Sequence, residues 1–198
     1  LESFKETYDA ADDQNVWFDK IKAVADKLDT LVLNGAECEP YITVDNRTMI
    51  DGAENVVKGV EIIEKYIPGP QNIIIAIENN KPLAVKKMTE AFANDPKVKV
   101  VSLPSEYPQG AEKVLIYNTT GIVVPEGRLP ADVGCIVMNV TTLACIAEYV
   151  RTGMPLVEKT VTVDGEPVPF SKKEFDRTGF GRDKRNFSAR QLRPDTNQ

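Results

Sequence analysis

Apolar residues along this chain follow two alternating patterns, one typical of strands and one typical of helices. Short runs rich in apolar residues predict strands at residues 30–33, 72–77, 98–103 and 133–138. The unbroken β-branched run within residues 72–77 predicts a strand covered on both faces. Apolar positions that recur every three or four residues predict helices, at residues 14–28, 49–67, 82–93, 110–117 and 141–151. This alternation predicts an α/β fold with a mostly parallel sheet and helices on both faces.

The end of the chain has a different pattern. Residues 157–163 alternate between apolar and polar, and Asp164-Gly165 after them is a strong β-hairpin signal. The start of a small β element is therefore expected after the α/β domain. The predicted divisions are a lead-in with a helix at residues 1–28, the α/β domain at 29–157, a hairpin at 158–170 and a basic tail at 171–198.

The composition favours one compact domain without a membrane span. The chain has 198 residues, of which 42% are hydrophobic, and no apolar run approaches the roughly 20 residues that cross a bilayer. Its first residues have neither the basic region nor the apolar region of a signal peptide. We therefore expect a cytoplasmic protein that is neither secreted nor membrane-spanning.

The charge of the chain is acidic overall but uneven. A formal net charge of −6 disfavours a nucleic-acid partner, because phosphate-binding surfaces are rich in Lys and Arg. Residues 171–198, however, contain eight basic and four acidic side chains. This tail suits either a flexible solvated extension or contact with an acidic partner or nucleic acid.

Histidine is absent and the three cysteines are widely spaced, which excludes several kinds of site. Without histidine the chain has no Ser-His-Asp or Cys-His arrangement, so a hydrolase is disfavoured. Cys38, Cys135 and Cys145 form no C-x-x-C pair, which argues against a disulfide framework, a zinc site and an iron–sulfur cluster held by this chain alone. We expect these cysteines to be packing residues.

Parallel sheets bind ligands at the carboxyl ends of their strands, which directs attention to four loops. The loops are residues 34–47, 78–81, 105–110 and 139–142. The first is the most informative, because Gly35 allows close backbone approach and Asn34, Glu37 and Glu39 add polar groups beside a buried strand. Carboxylates suit ribose or ribityl hydroxyls better than phosphate. An ordinary strand-to-helix loop with a helix cap remains the alternative.

Four strings, in order along residues 29–165, carry a resemblance to a known family. The first is Asn34-Gly35-Ala36-Glu37-Cys38-Glu39-Pro40-Tyr41-Ile42-Thr43, and the others are residues 77–82, residues 107–113, and residues 129–134 together with 139–142. Together they resemble the C subunit of the Rnf electron-transport complex and, more distantly, the flavin-binding subunit of respiratory complex I. The resemblance implies a flavin domain that binds FMN, with NADH as a substrate.

The resemblance also implies site residues. Asn34, Gly35, Glu37 and Glu39 would line the flavin and nucleotide pocket, and Tyr107, Gly110 and Glu112 would form the loop where nicotinamide reaches the flavin. Tyr107 is either a stacking residue or an ordinary half-buried tyrosine. Asn139 and Thr142 would lie near the phosphate, where a helix begins with free N–H groups.

The function that the resemblance implies is electron transfer between NADH/NAD and iron–sulfur carriers, as an NADH-linked oxidoreductase if the chain is an enzyme. Its partners would be other electron-transport subunits or ferredoxin-like proteins, at the cytoplasmic face of the membrane. The family places a glycine-rich flavin loop before the first strand, whereas residues 12–20 here contain no glycine. A non-catalytic docking domain without a cofactor is therefore the alternative, and a regulator that binds NADH without redox chemistry is a third hypothesis.

Overall fold

A computed structural model describes residues 27–67, 69–163 and 166–171. Most of the helix expected at residues 14–28, and the tail from residue 172, lie outside the described residues. None of the described helices is both long and apolar enough to cross a membrane.

Four parallel strands form the central sheet, as the sequence predicts. They are β1 (Thr30–Gly35), β2 (Asn72–Glu78), β3 (Val98–Leu103) and β4 (Cys135–Asn139), in the spatial order β3-β2-β1-β4. β1 is parallel to both neighbours, so Asn34 lies opposite Ala76 on one side and Asn139 on the other. The carboxyl ends of these strands therefore meet at one edge, where ligands of such sheets bind.

Five described helices cover the sheet, and both faces carry at least one. They are α1 (Val44–Asp51), α2 (Ala53–Tyr66), α3 (Pro82–Ala91), α4 (Glu112–Thr120) and α5 (Val140–Thr152). On one face Leu33 and Ile75 pack against α1, α2, α3 and α5, whereas on the other Val32 and Ala76 pack against Leu115 of α4. The two central strands, β1 and β2, are buried on both sides, which explains their apolar runs, whereas the edge strands β3 and β4 are only partly buried. The predicted α/β architecture is confirmed.

The prediction of one helix at residues 49–67 is wrong. The structure has two helices there, α1 and α2, which meet at Gly52. The N–H of Gly52 donates to the Thr48 carbonyl and ends α1, while its own carbonyl accepts from Asn55 and Val56 and starts α2. Because glycine is a weak helix former, the chain changes direction there although the apolar spacing continues.

The fourth strand also begins later than the apolar run suggests. Residues Pro130–Val133 form a short 3-10 helix, and Gly134 adopts a left-handed conformation with φ 77° before β4 starts at Cys135. A left-handed residue cannot belong to a regular strand, so the strand cannot include Val133.

The expected small β element is a two-stranded antiparallel sheet. Its strands are β5 (Glu158–Val163) and β6 (Glu166–Ser171), on either side of residues 164 and 165. Thr162 Oγ1 accepts a 3.1 Å hydrogen bond from the Thr43 N–H. The first strand of this element therefore contacts the loop that follows β1.

Candidate functional site

The loop after β1 approaches its neighbours so closely that it requires glycine at its start. A Cβ atom on Gly35 would lie 2.8 Å from Met49 Sδ and 3.2 Å from the Ala76 carbonyl oxygen. Two non-glycine residues farther along have left-handed backbones, Glu37 with φ 50° and Tyr41 with φ 67°. Such conformations are uncommon and are held by the surrounding structure.

Asn34 joins this loop to the loop after β3. Its Nδ2 donates to the Gly110 carbonyl at 3.0 Å, and its Oδ1 accepts from the Ala36 N–H at 3.1 Å. The Gly110 N–H in turn donates to Cys38 Sγ at 3.3 Å. A Cβ on Gly110 would lie 3.3 Å from the same sulfur, so a side chain there would separate the loops. The structure thus brings Asn34 and Gly110 together, and Cys38 packs between the loops.

The Glu37 carboxylate caps the start of α1. It accepts from the Asp45 N–H at 2.6 Å and from the Asn46 N–H at 3.1 Å, while Thr43 at the N-cap position makes no side-chain capping bond. Both oxygens of Glu37 therefore already have partners within the protein, as the helix-cap alternative anticipates. Burial raises the pKa of Glu37 above its ordinary value of 4.5, against the lowering effect of the two N–H donors.

This buried cap predicts a pH dependence. With its pKa higher in the folded than in the unfolded chain, Glu37 contributes stability that is fully present below about pH 4.5 and lost as pH rises through the folded pKa. Glu37→Gln removes this titration. We expect the difference in unfolding free energy between wild type and Glu37→Gln, measured in urea from about pH 4 to 7, to fall as pH rises. Glu126→Gln, at an exposed carboxyl, controls for the lost charge.

If this difference in unfolding free energy instead rises with pH, the N–H donors and Lys81 lower the pKa of Glu37 by more than burial raises it. Burial would then not be the dominant effect on this pKa.

A buried ion pair lies beneath the same loop, and the sequence analysis did not identify it. Lys81 Nζ lies 3.0 Å from Glu78 Oε2, and both side chains are buried, at 9% and 2% exposure. The Lys81 ammonium also donates to the Ala36 carbonyl at 2.7 Å and the Glu37 carbonyl at 3.2 Å. Lys81 thereby fixes the backbone from which Glu37 projects. A charged pair directly after an apolar strand was the sequence signal that could have revealed it.

The start of α5 is capped by the protein itself. Asn139 Oδ1 accepts from the N–H groups of Thr141 at 2.9 Å and Thr142 at 3.1 Å. Asn139 Nδ2 donates to Asp45 Oδ2 at 2.8 Å, and Thr141 Oγ1 donates to Asp45 Oδ1 at 2.6 Å. The expectation that these N–H groups are free is therefore wrong, because an asparagine is a strong N-cap.

Tyr107 and Glu112 lie at the surface. The Tyr107 ring is 75% exposed, so the alternative of an ordinary half-buried tyrosine is wrong. Glu112 is exposed in the first turn of α4. Both residues flank Gly110, which places them beside the junction with Asn34.

A polar cavity of about 360 Å³ opens at the carboxyl ends of β1 and β2. It is lined by Glu37, Cys38, Glu39, Pro40, Tyr41, Ile42, Thr43, Asn46, Glu78, Asn80, Lys81 and Ser105. Asn46 Oδ1 is buried there without a hydrogen-bond partner among the described residues. Of the predicted site residues, Glu37 and Glu39 line the cavity. The other seven lie outside its lining: Asn34, Gly35, Tyr107, Gly110, Glu112, Asn139 and Thr142. Among the described residues, no group of three or more Cys, Asp or Glu is placed to hold a metal ion.

Comparison with known proteins identifies relatives of this domain. Residues 17–148 match the family model described as the Nuo51 FMN-binding domain. The C subunit of a proton-translocating ferredoxin:NAD(+) oxidoreductase complex from Clostridium ljungdahlii is 46% identical over 77% of this chain and 33% of its own length. The C subunit of a Na(+)-translocating ferredoxin:NAD(+) oxidoreductase complex from Acetobacterium woodii is 47% identical over 72% of this chain and 32% of its own.

A more distant relative and a solved structure agree with these matches. The C subunit of an ion-translocating oxidoreductase complex from Actinobacillus succinogenes is 41% identical over 81% of this chain and 23% of its own length. The chain thus spans about a third or less of these relatives. A chain of an NAD+-reducing NiFe hydrogenase in the H2-reduced state has the same fold, with a TM-score of 0.50 and 22% identity over 65% of this chain and 25% of its own. The protein belongs to the Nuo51 FMN-binding domain family.

Proposed function

We propose that this chain is the flavin-nucleotide domain of an Rnf-type C subunit, which binds FMN and relays electrons between NADH/NAD and iron–sulfur carriers. The observation that carries the proposal is the junction of Asn34, Cys38 and Gly110, which fixes two carboxyl-end loops beside a polar cavity. The family description and the names of the relatives support it. Flavin would supply the redox chemistry, and the protein its placement.

The residues at the cavity fit part of FMN. Asn46 Oδ1, buried without a partner among the described residues, suits a ligand that donates a hydrogen bond, such as a flavin ring N–H or a ribityl hydroxyl. Glu39 is an exposed acceptor for hydroxyls in the same lining. Glu37 acts in this proposal by holding α1, because its oxygens are already occupied. Asn34 and Gly35 set the loop in place.

The phosphate and nicotinamide positions are also part of the proposal. For Asn139 and Thr142 to hold a phosphate, a ligand oxygen has to replace Asn139 Oδ1 as acceptor of the Thr141 and Thr142 N–H groups. Tyr107 and Glu112, exposed beside Gly110, would meet the nicotinamide.

The partners follow from the relatives, which are named as subunits of oxidoreductase complexes. We expect this domain to bind other Rnf subunits and ferredoxin-like carriers at the cytoplasmic face of the membrane. No nucleic-acid partner is expected, given the net charge of −6.

Flavin uptake tests the proposal. The purified protein, incubated with FMN and freed of excess, should show flavin absorbance at near-equal molar ratio. Asn34→Ala removes the bond to Gly110, and we expect it to weaken FMN binding about fivefold, since a lost hydrogen bond of this kind is worth about 1 kcal/mol. Fluorescence titration with FMN measures this change.

Asn94→Ala, at an exposed turn before β3, is the matched control and should leave FMN affinity unchanged. A wild-type protein that takes up no FMN would contradict the proposal and favour a docking domain. If Asn34→Ala bound FMN as tightly as wild type, the assignment of Asn34 to the flavin site would be contradicted, but the proposed function would not.

A further inference from the structure

A continuous apolar surface lies at the end of α5. All nine residues from 149 to 157 are exposed. Five of them are large apolar or aromatic residues with exposures from 51% to 66%, and we call them the apolar strip: Tyr149, Val150, Met154, Leu156 and Val157. Single exposed apolar side chains are ordinary, but a contiguous set of them marks a binding surface.

The apolar strip is separate from the cavity at the carboxyl ends of β1 and β2. α5 starts after Asn139, at the carboxyl end of β4, and is 13 residues long. Its last turn therefore lies about 20 Å from that edge of the sheet. None of the five residues of the apolar strip lines the cavity. The strip therefore requires an occupant other than the ligand of the cavity.

The register of the small β element brings the basic tail to the apolar strip. β5 and β6 are antiparallel, with Ser171 at the end of β6 opposite Glu158 at the start of β5. Glu158 directly follows Val157, the last residue of the strip. Because paired strands lie about 5 Å apart, the chain leaves β6 beside the apolar strip.

The sequence of the basic tail contains aromatic side chains within reach of the apolar strip. Phe175 and Phe180 are four and nine residues beyond Ser171, which allows them to lie up to about 14 Å and 30 Å from it. The far end of the strip, at Tyr149, is at most about 20 Å from its near end. Phe175 therefore reaches the near part of the strip, and Phe180 reaches all of it.

Charge favours the basic tail over other occupants. The tail is positive by four charges, so in a protein of net charge −6 the residues before it are negative by ten. A second copy of the chain would bring another acidic domain against this one, and an anionic lipid surface would repel it. The tail instead brings the opposite charge to the domain that it follows.

We propose that the apolar strip is the docking surface for the basic tail of the same chain, with Phe175 and Phe180 packed against it. The contact removes the strip from water and holds the tail away from the cavity. This docking does not depend on the proposed function, because the cavity residues take no part in it.

Photo-crosslinking of the full chain tests the contact. The amino acid p-benzoylphenylalanine, in place of Phe175 or Phe180, should attach to residues 149–157 of the same chain, as mapped by mass spectrometry of the monomer. The same amino acid in place of Leu83, an exposed residue at the start of α3, is the control and should not attach to the strip. Attachment to a second copy, to lipid or to another part of the domain would overturn the proposal, as would no attachment.

A second measurement follows the apolar strip without changing it. In Phe175→Ser with Phe180→Ser, we expect the backbone amides of residues 154–157 to exchange hydrogen for deuterium at least about threefold faster than in wild type. Leu192→Ser, the loss of an apolar side chain farther along the same tail, is the matched control and should exchange like wild type. Unchanged exchange in the double variant contradicts the docking. The amides of β1 should stay protected, which shows that the domain remains folded.

Discussion

Replacing Lys81 by methionine should lower the free energy of unfolding by about 3–5 kcal/mol, because the change leaves the Glu78 carboxylate buried without its cation. Glu78 is only 2% exposed, so water cannot replace the ammonium. The carbonyls of Ala36 and Glu37 lose the same donor and stay at the protein interior. Urea unfolding measures the loss.

A double variant tests whether this loss of stability comes from the Lys81–Glu78 ion pair. In Lys81→Met with Glu78→Gln no charge is buried, so we expect the double variant to lose less stability than the sum of the two single changes, by about 1–3 kcal/mol. Lys86→Met is the control, because Lys86 is 71% exposed and its bond to Glu90 lies at the surface. It should cost less than about 1 kcal/mol. Strictly additive losses at Lys81 and Glu78 would contradict a coupled pair.

The same pair explains why the site has its shape. Glu78 is the last residue of β2. Lys81 donates to Asn80, Asn80 donates to Ser105, and Ser105 donates to Glu78. The Lys81 ammonium therefore joins the carboxyl ends of β1 and β2, and Asn80 and Glu78 link it to Ser105 after β3. Because these hydrogen bonds anchor the loop after β1, the loop can hold Glu37 and Tyr41 in left-handed conformations.

The sheet could be predicted from the sequence because its signals are local. The runs at residues 72–77 and 98–103 contain enough β-branched residues to identify strands, and their bounds differ from β2 and β3 by at most one residue. The helix break at Gly52 could not be predicted with the same ease. Its apolar spacing continues through the glycine, and the end of α1 depends on which carbonyl the Gly52 N–H reaches.

The site was harder to predict because its contacts join distant positions. Asn34 binds a residue 76 positions away, and Lys81 binds carbonyls 44 and 45 positions away. The sequence identifies Asn34, Glu37 and Glu39 as polar groups beside a strand, but it does not reveal that Glu37 caps α1. Whether a carboxylate faces a ligand or a helix depends on backbone conformation, which residue spacing alone does not encode.

Gly59→Val should destabilise the protein by roughly 3 kcal/mol, at the upper end of what overpacking costs. Gly59 lies in α2 where it crosses α5, and a Cβ there would lie 2.5 Å from Leu143 Cγ and 2.8 Å from the Leu143 carbonyl oxygen. The backbone oxygen cannot move without shifting α5. Adding a β-branched side chain therefore forces the two helices apart, and urea unfolding should detect it.

Two further variants separate the clash from helix propensity. Lys58→Val places the same side chain at the neighbouring exposed position of α2, and we expect it to cost less than about 1 kcal/mol. Leu143→Ala alone should cost about 2–5 kcal/mol, but combined with Gly59→Val it should cost less than the sum, because the small side chain makes room. If the double variant instead lost the full sum of the two single losses, the cost of Gly59→Val would not come from its contact with Leu143. Asn139, the N-cap of α5, bonds Asp45 beside the site, so the helix spacing that Gly59 permits also sets the position of that bond.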